Sequence, residues 1–392
     1  MNKFEKLING IKNLNNLQKL KKLLSLNRPL KVKLGIDPTR PDLTFGHMVV
    51  LNKIRQFQDL GHQAVLVIGD YTATIGDPSG QSKTRIPLTF EEVRSNANTY
   101  LKQVFQIIDK ENTTVFYNSQ WFNKMKFQDA INLASKMTVA RILERNDFSK
   151  RHKSNNPIAI SEFLYPLLQG YDSVMLQSDI EIGGNDQLFN LLIGKALQKE
   201  AGQFQQVTIT TPLLLGLDGV RKMSKSLNNS INFNDSPKNM FGKIMSISDA
   251  IMWSYYELLT DFSKKELLIK KEDHPMKAKK CLAYTLVQFF YGSKNANQSL
   301  AEFEKIFSKK QNPEKMIIFN WHKIVNSHEI ELINLLLKTQ IFASKKELRR
   351  LISQGAITID NEKCFDIRKK LIIPNNYYVI KVGKLKFLKF IK

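Results

Sequence analysis

Between Lys31 and Asp70 the spacing of apolar residues changes twice, and this succession restricts the fold more than any other feature of the chain. Val32, Leu34 and Ile36 alternate with Lys31, Lys33 and Gly35, the period of two that a strand imposes on its side chains. From Gly46 onward Val50, Ile54 and Phe57 fall on one helical face, and Gly61 supplies a stop. Ala64–Ile68 is an unbroken apolar run ending at Gly69-Asp70, as expected of a strand covered on both faces. Strand, helix and strand within about 40 residues make a βαβ unit, which requires a parallel sheet.

Later segments extend the pattern. Thr113–Phe116, Asp179–Ile182 and Val207–Ile209 read as strands. Phe127–Arg145, Ile158–Leu176 and the stretch from Gly183-Gly184 to Glu200 read as helices. Residues 1–30 form an expected amphipathic helix marked by Leu14, Leu17, Leu20 and Leu24. The fold class is therefore α/β, with a Rossmann-like parallel-sheet domain over 1–235 whose ligands bind beyond the carboxyl ends of the strands.

After residue 235 strand signals stop. Leu282, Leu286, Phe289 and Phe290 mark one helix ending at Gly292, and Leu300, Phe303, Ile306 and Phe307 mark another. A small helical domain with a connector is expected over 236–328. The connector, 311–330 from Gln311-Asn312-Pro313 onward, carries Ile317, Ile318, Phe319 and Trp321 and should pack on something. A small α+β domain follows over 329–392. In it Lys345, Lys346, Arg349 and Arg350 share one face of a short helix, with Leu348, Leu351 and Ile352 opposite. Ile357 and Ile359 begin a strand that turns at Asp360-Asn361, and Val379–Phe390 reads as a hairpin through Gly383.

The chain holds 59 Lys and Arg against 36 Asp and Glu, a formal charge of +23. Such an excess favours a polyanionic partner, although a general richness in Lys, Asn and Ile accounts for part of it. Phe342–Lys392 alone has 13 basic and 4 acidic residues, and a basic helix face beside a small sheet suits RNA. Two distant cysteines, Cys281 and Cys364, without CxxC spacing, argue against a disulfide framework and against a zinc site. With no apolar run long enough for a membrane span and no signal-peptide core, a cytoplasmic chain without membrane contact is expected.

Two constellations carry phosphate chemistry. In Gly35-Ile36-Asp37-Pro38-Thr39-Arg40-Pro41-Asp42-Leu43-Thr44-Phe45-Gly46-His47 a strand ends and a helix opens, so backbone N–H groups face a suitable place for phosphate. Gly46 allows close approach of a nucleotide there, and His47 can donate to a phosphoryl oxygen. Lys222-Met223-Ser224-Lys225-Ser226, after Gly216-Leu217-Asp218-Gly219, places two lysines three apart on a loop, able to clamp a leaving pyrophosphate. Each alone is an ordinary turn.

Together they resemble the paired signature of class I aminoacyl-tRNA synthetases, a HIGH-type element after the first strand and a KMSKS loop about 175 residues later. One letter departs: Thr44 stands where the first His of that element usually does. Tyr165-Pro166-Leu167-Leu168-Gln169-Gly170-Tyr171-Asp172 further resembles the tyrosine-binding helix of the tyrosyl-tRNA synthetases. By that resemblance Tyr165 and Gln169 hold the substrate ammonium group, Asp172 accepts the phenolic O–H, and Asp77 of Ile75-Gly76-Asp77-Pro78-Ser79-Gly80 also faces the ammonium. Asp37 and Gln187 join the tyrosine set. Gly183-Gly184-Asn185-Asp186-Gln187 matches the family's G-G-x-D-Q element, where Asp186 binds ribose and Gly184 lets adenosine approach.

The resemblance assigns ATP binding to Gly46, His47, Gly184, Asp186 and Lys225. It assigns catalysis to Thr39, Thr44, His47, Lys222 and Lys225. It implies ATP with Mg²⁺ as substrate and no structural metal. Its partners are L-tyrosine and tRNA(Tyr), the latter met by Lys345, Lys346, Arg349 and Arg350 in an S4-type RNA-binding domain. The 118–165 insertion would carry a homodimer interface, and 236–310 would face the anticodon. Lys33 stands where one branch of the family has a Tyr that contacts the phenol. Three other readings stay open: a tryptophanyl enzyme, a non-catalytic RNA-binding relative, and a small-molecule nucleotidyltransferase.

Overall fold

Gly10, at φ +71°, ends the first helix early. The single helix expected over 1–30 is instead two, α1 (Lys3–Ile8) and α2 (Leu17–Leu24), separated by a short strand, β1 (Asn13–Leu14). The Asn16 side chain accepts from Lys19 N–H at 2.8 Å and so caps α2. This computed structural model describes residues 3–79, 88–308, 316–383 and 386–392; Gly80 and Gln311-Asn312-Pro313 lie outside the described residues.

The chain then builds β2 (Lys31–Ile36), α3 (Phe45–Gln58), β3 (Gln63–Ile68), α4 (Phe90–Val104) and β4 (Thr113–Tyr117). The helix expected over 127–145 is divided. After α5 (Ser119–Phe122) come α6 (Phe127–Ala134), α7 (Val139–Ile142) and α8 (Asn146–Lys153). Thr138 is extended, and its hydroxyl accepts from Arg141 N–H at 3.2 Å, so it begins a new helix. α9 (Ile160–Leu176), β5 (Ile180–Gly184), α10 (Leu188–Glu200) and β6 (Val207–Thr211) complete the sheet unit.

The sheet order is β1-β6-β5-β2-β3-β4, parallel throughout except for β1 against β6. Chain order reverses between β2 and β5, and a crevice opens beyond their carboxyl ends, as in other open α/β sheets. Alternation along β2 suggests one solvated face, yet Lys33 is fully buried. It pairs across the sheet with Glu181 at 2.9 Å, a partner that periodicity does not disclose. α9 and α10 cross closely, since a Cβ on Gly170 would stand 3.0 Å from the Gly194 nitrogen.

Four helices follow: α11 (Pro237–Ser246), α12 (Asp249–Leu259), α13 (Lys264–Glu272) and α14 (Pro275–Phe303), the last leaving helical geometry at Gly292. Phe290 stacks on Phe45 with centroids 5.7 Å apart, and Tyr291 O–H donates to the Phe233 carbonyl at 2.9 Å. The chain divides into two compact units, 1–297 and 298–392. Most of the helical segment thus lies in the same unit as the sheet.

The second unit contains β7 (Ile317–Asn320), α15 (Trp321–Ile324), β8 (Glu329–Glu331), α16 (Leu332–Lys338) and α17 (Lys345–Ser353). β9 (Ile357–Ile359), β10 (Glu362–Lys363), β11 (Lys370–Ile372), β12 (Tyr377–Val382) and β13 (Lys386–Ile391) follow. One sheet runs β10-β9-β12-β13-β7, and β11 pairs with β8. The expected connector is therefore in part a strand: β7 lies parallel to β13, Phe319 stacks on Phe390, and Trp321 is buried in the core.

Candidate active site

The N-terminus of α3 is organised by its own side chains. Thr44 N–H donates to His47 Nδ1 at 3.1 Å, and the Thr44 hydroxyl lies 3.0 Å from the same nitrogen. This is a capping box with imidazole in place of the usual carboxylate. Because Nδ1 accepts, the ring proton sits on Nε2. His47 is exposed at the crevice, yet the protein around the ring desolvates its charged form. That desolvation, followed by the charge of Lys225, lowers its pKa to about 4, so the imidazole is neutral near pH 7. The Thr44 hydroxyl, expected on phosphate, is engaged with His47.

Asp37 at the end of β2 accepts from the Tyr165 hydroxyl at 2.9 Å through one oxygen and from the Thr72 hydroxyl at 2.9 Å through the other. Gly69 makes room for both, because any Cβ there would strike Asp37 and Thr72. Asp77 accepts from Gln187 Nε2 at 2.7 Å. Asn190 Nδ2 donates to Gln187 Oε1 and Gln169 Oε1, each at 3.0 Å, tying α10 to α9. Burial, then the charges of Asp37 and Asp77, hold the Tyr165 phenol well above its ordinary pKa.

Asp172 lies two helical turns further along α9, about 10 Å from Tyr165 on the helix axis. It is 3 % exposed and accepts from Trp121 Nε1 at 3.0 Å. Burial raises its pKa to about 7, against the lowering charge of Lys33.

The loop holding Lys222–Ser226 closes the opposite side. Lys222 Nζ pairs with Asp186 at 2.7 Å, and Lys225 Nζ donates to the Asp42 carbonyl. Partial burial lowers the Lys225 pKa to about 8. At Gly184 a Cβ would lie 2.8 Å from Asp186 Oδ1, whereas Gly46 has ordinary room for one.

A cavity of about 660 Å³ is lined by Asp37, Thr39, Thr44, Gly46, His47, Asp77, Tyr165, Gln169, Asp172, Gly184, Asp186, Gln187, Lys222 and Lys225. All fourteen residues singled out from the sequence for amino acid, nucleotide and catalysis thus surround one space. Lys345, Lys346, Arg349 and Arg350 lie exposed on α17, with Leu348 and Ile352 buried beneath them. Sequence reasoning missed Trp121, Asn190, Thr72 and Asp42. Their bonds to Gln169, Asp37, Asp172 and Lys225 join positions 21 to 183 apart in the chain, a separation that local spacing does not disclose. Among the described residues no three His, Cys, Asp or Glu gather into a metal cage, and no helix is long and apolar enough to cross a membrane.

Residues 25–308 match the family described as tRNA synthetases class I (W and Y), and residues 319–390 match the tyrosine–tRNA ligase SYY-like C-terminal domain. The chain is 50 % identical to a tyrosine–tRNA ligase of Thermotoga maritima, over 91 % of this chain and 89 % of that one. It is 49 % identical to one of Aquifex aeolicus, over 95 % and 94 %. A tyrosyl-tRNA synthetase from Archaeoglobus fulgidus solved with L-tyrosine shares the fold at TM-score 0.64 and 22 % identity, covering 76 % of this chain and 98 % of that one.

Proposed function

Since the chain belongs to the tyrosyl-tRNA synthetases of class I, we propose that its cavity joins L-tyrosine to ATP and that the tyrosyl group then passes to the 3′ end of tRNA(Tyr). The observation that carries this reading is the polar face of α9. It sets Tyr165, beside Asp37 and Asp77, at one end and Asp172 at the other, within the same cavity as the α3 N-terminus. An amino acid with an ammonium group at one end and a phenol at the other fits that polarity. Asp37, Asp77, Tyr165, Gln169 and Gln187 take the ammonium end, and Asp172 accepts the phenolic O–H. Phenylalanine would leave Asp172 buried without that partner. Tyrosyl enzymes are the established case of such rejection, with a known discrimination of about 10⁵ reached without editing.

The tyrosine carboxylate, already ionised, attacks the α-phosphorus in line; the bond to the bridging oxygen breaks and pyrophosphate leaves. No general base is needed, so catalysis is positioning and charge stabilisation. Thr39 and neutral His47, donating from Nε2, meet the phosphates, while Thr44 orients the imidazole. Lys222 and Lys225 receive the charge that develops on pyrophosphate. Gly46 and Gly184 admit the nucleotide, and Asp186 binds ribose. ATP enters with Mg²⁺ on its phosphates, which neutralises part of their charge.

Lys345, Lys346, Arg349 and Arg350 contact tRNA phosphates. The three-part division, 1–235, 236–328 and 329–392, then separates activation, the anticodon side and the S4-type module. Phe127 and Ile160 are 82 % and 79 % exposed within or beside the 118–165 insertion, a surface suited to a homodimer in the cytoplasm. Pyrophosphate exchange into ATP, run with each of the twenty amino acids, tests the reading. Tyrosine alone should support exchange; equal exchange with tryptophan or without amino acid would refute it.

A further inference from the structure

Lys33 lies beneath the tyrosine face of α9 and belongs to no assigned group. It is fully buried: its ammonium donates to Ser173 Oγ at 2.7 Å and to the Gln169 carbonyl at 3.1 Å, and it forms an ion pair with Glu181 Oε1 at 2.9 Å. Ser173 Oγ also donates to Glu181 Oε2 at 2.9 Å, and Gln206 Nε2 donates to the same oxygen. Gly194 permits this packing, since a Cβ there would stand 2.9 Å from both Ser173 Oγ and Gln206 Nε2.

A buried lysine–glutamate pair is a poor way to gain stability, because apolar side chains of similar volume usually serve as well or better. The position of this pair suggests another use. Gln169 and Ser173 are one helical turn apart, and Asp172 lies between them on the same turn. Resting on the reading of this cavity as the tyrosine site, we propose that Lys33, locked by Glu181, is a positioning residue for tyrosine. It fixes the Gln169–Ser173 turn of α9 and supplies the positive field that keeps Asp172 able to accept the phenolic O–H.

The groups acting on Asp172 come from several elements. Lys33 on β2 lowers its pKa, Glu181 on β5 raises it, and the neutral Trp121 and Asn118 after β4 bond its carboxylate. On its own helix Tyr165 is a further titratable neighbour. Removing Lys33 and removing Glu181 should therefore move Asp172 in opposite directions, which general loosening of the fold cannot do.

The test is kcat/KM for tyrosine in pyrophosphate exchange across pH 6–9, with folding checked by circular dichroism. K33M/E181Q neutralises the pair at nearly constant volume. Its KM for tyrosine should rise about tenfold, with KM for ATP within about twofold, and its acid limb should move up by about one pH unit. E181Q alone should move that limb down. Folded variants with unmoved limbs and unchanged tyrosine KM would overturn the proposal alone. Wild-type enzyme that fails to exchange with tyrosine would overturn the site reading and the proposal with it. Should K33M/E181Q not fold, E181Q decides: a downward limb supports the proposal, and an unmoved or raised one overturns it.

Discussion

His47 and Lys225 line the same cavity, near enough for the lysine's charge to act on the imidazole, and their titrations separate their roles. Partial burial brings Lys225 to a pKa of about 8, so its charge is present below that pH and lost above it. In pyrophosphate exchange, kcat/KM for ATP should therefore fall above about pH 8, and K225R should keep its activity to higher pH because arginine stays charged. His47, held to about 4, contributes no limb between pH 5 and 7. Changing either residue to Ala should cost about 2–4 kcal/mol in adenylate formation with little change in tyrosine affinity. Pre-steady-state rates equal to wild type would contradict the assignment. Asp172 gives the complementary case. Its folded pKa of about 7 exceeds the value in an unfolded chain, about 3.9, so the folded state binds the extra proton between those values. Stability is therefore lost as pH rises through that window, and the loss is complete above pH 7. Asp172→Asn should melt higher than wild type at pH 8 but not near pH 4, while losing discrimination against phenylalanine. Melting curves at the two pH values check the first part, and a pH 8 midpoint at or below wild type would refute it.

Strands and helices with a clean period were legible in the sequence, and so were the phosphate and tyrosine motifs, because each is local. Failures came where a distant partner overrode local spacing. Lys33 reads as an outward strand residue until Glu181 and α9 cover it, and Asn13–Leu14 reads as helix until β6 offers Thr210 and Ile209 as strand partners. Ile317–Phe319 reads as a connector until β13 supplies a parallel neighbour. Trp121 on α5 was invisible as a site residue, since nothing nearby in the chain announces its bond to Asp172. The small helices of the 118–165 insertion carry exposed apolar side chains, among them Phe127 and Val139, at 82 % and 58 % exposure. If this surface is the proposed homodimer interface, wild type should sediment as a dimer at micromolar concentration and F127E/V139E as a monomer. Two dimers would place the interface elsewhere, and a monomeric wild type would refute the homodimer.

For the whole molecule, the division into units decides where the chain can be cut. β7 and Trp321 belong to the second unit's sheet and core, so a truncation at 330 would strip their partners away and leave them exposed. Ending the chain at Asn297, the last residue of the first unit, avoids this. That truncated protein should still activate tyrosine, because every residue named for adenylate formation precedes it. Transfer to tRNA should collapse. If the α17 face makes about four phosphate contacts, the slope of log affinity against log salt should become shallower by roughly 3–4. A truncated enzyme that charges tRNA normally with an unchanged slope would assign the basic tail no part in RNA binding.

The pair between Lys222 and Asp186 makes the resting enzyme its own competitor. The carboxylate assigned to the incoming ribose is already occupied by an ammonium assigned to the departing pyrophosphate. A nucleoside must dislodge that occupant, whereas full ATP brings phosphates that give Lys222 somewhere else to go. Discrimination between adenosine and ATP is thus written into the empty state. Both partners are partly exposed, so the latch is worth about 1 kcal/mol at most, or a factor of about five. Lys222→Ala should bind adenosine up to about fivefold more tightly while forming adenylate more slowly. Calorimetry with adenosine beside single-turnover kinetics with ATP would show whether the two effects have opposite signs.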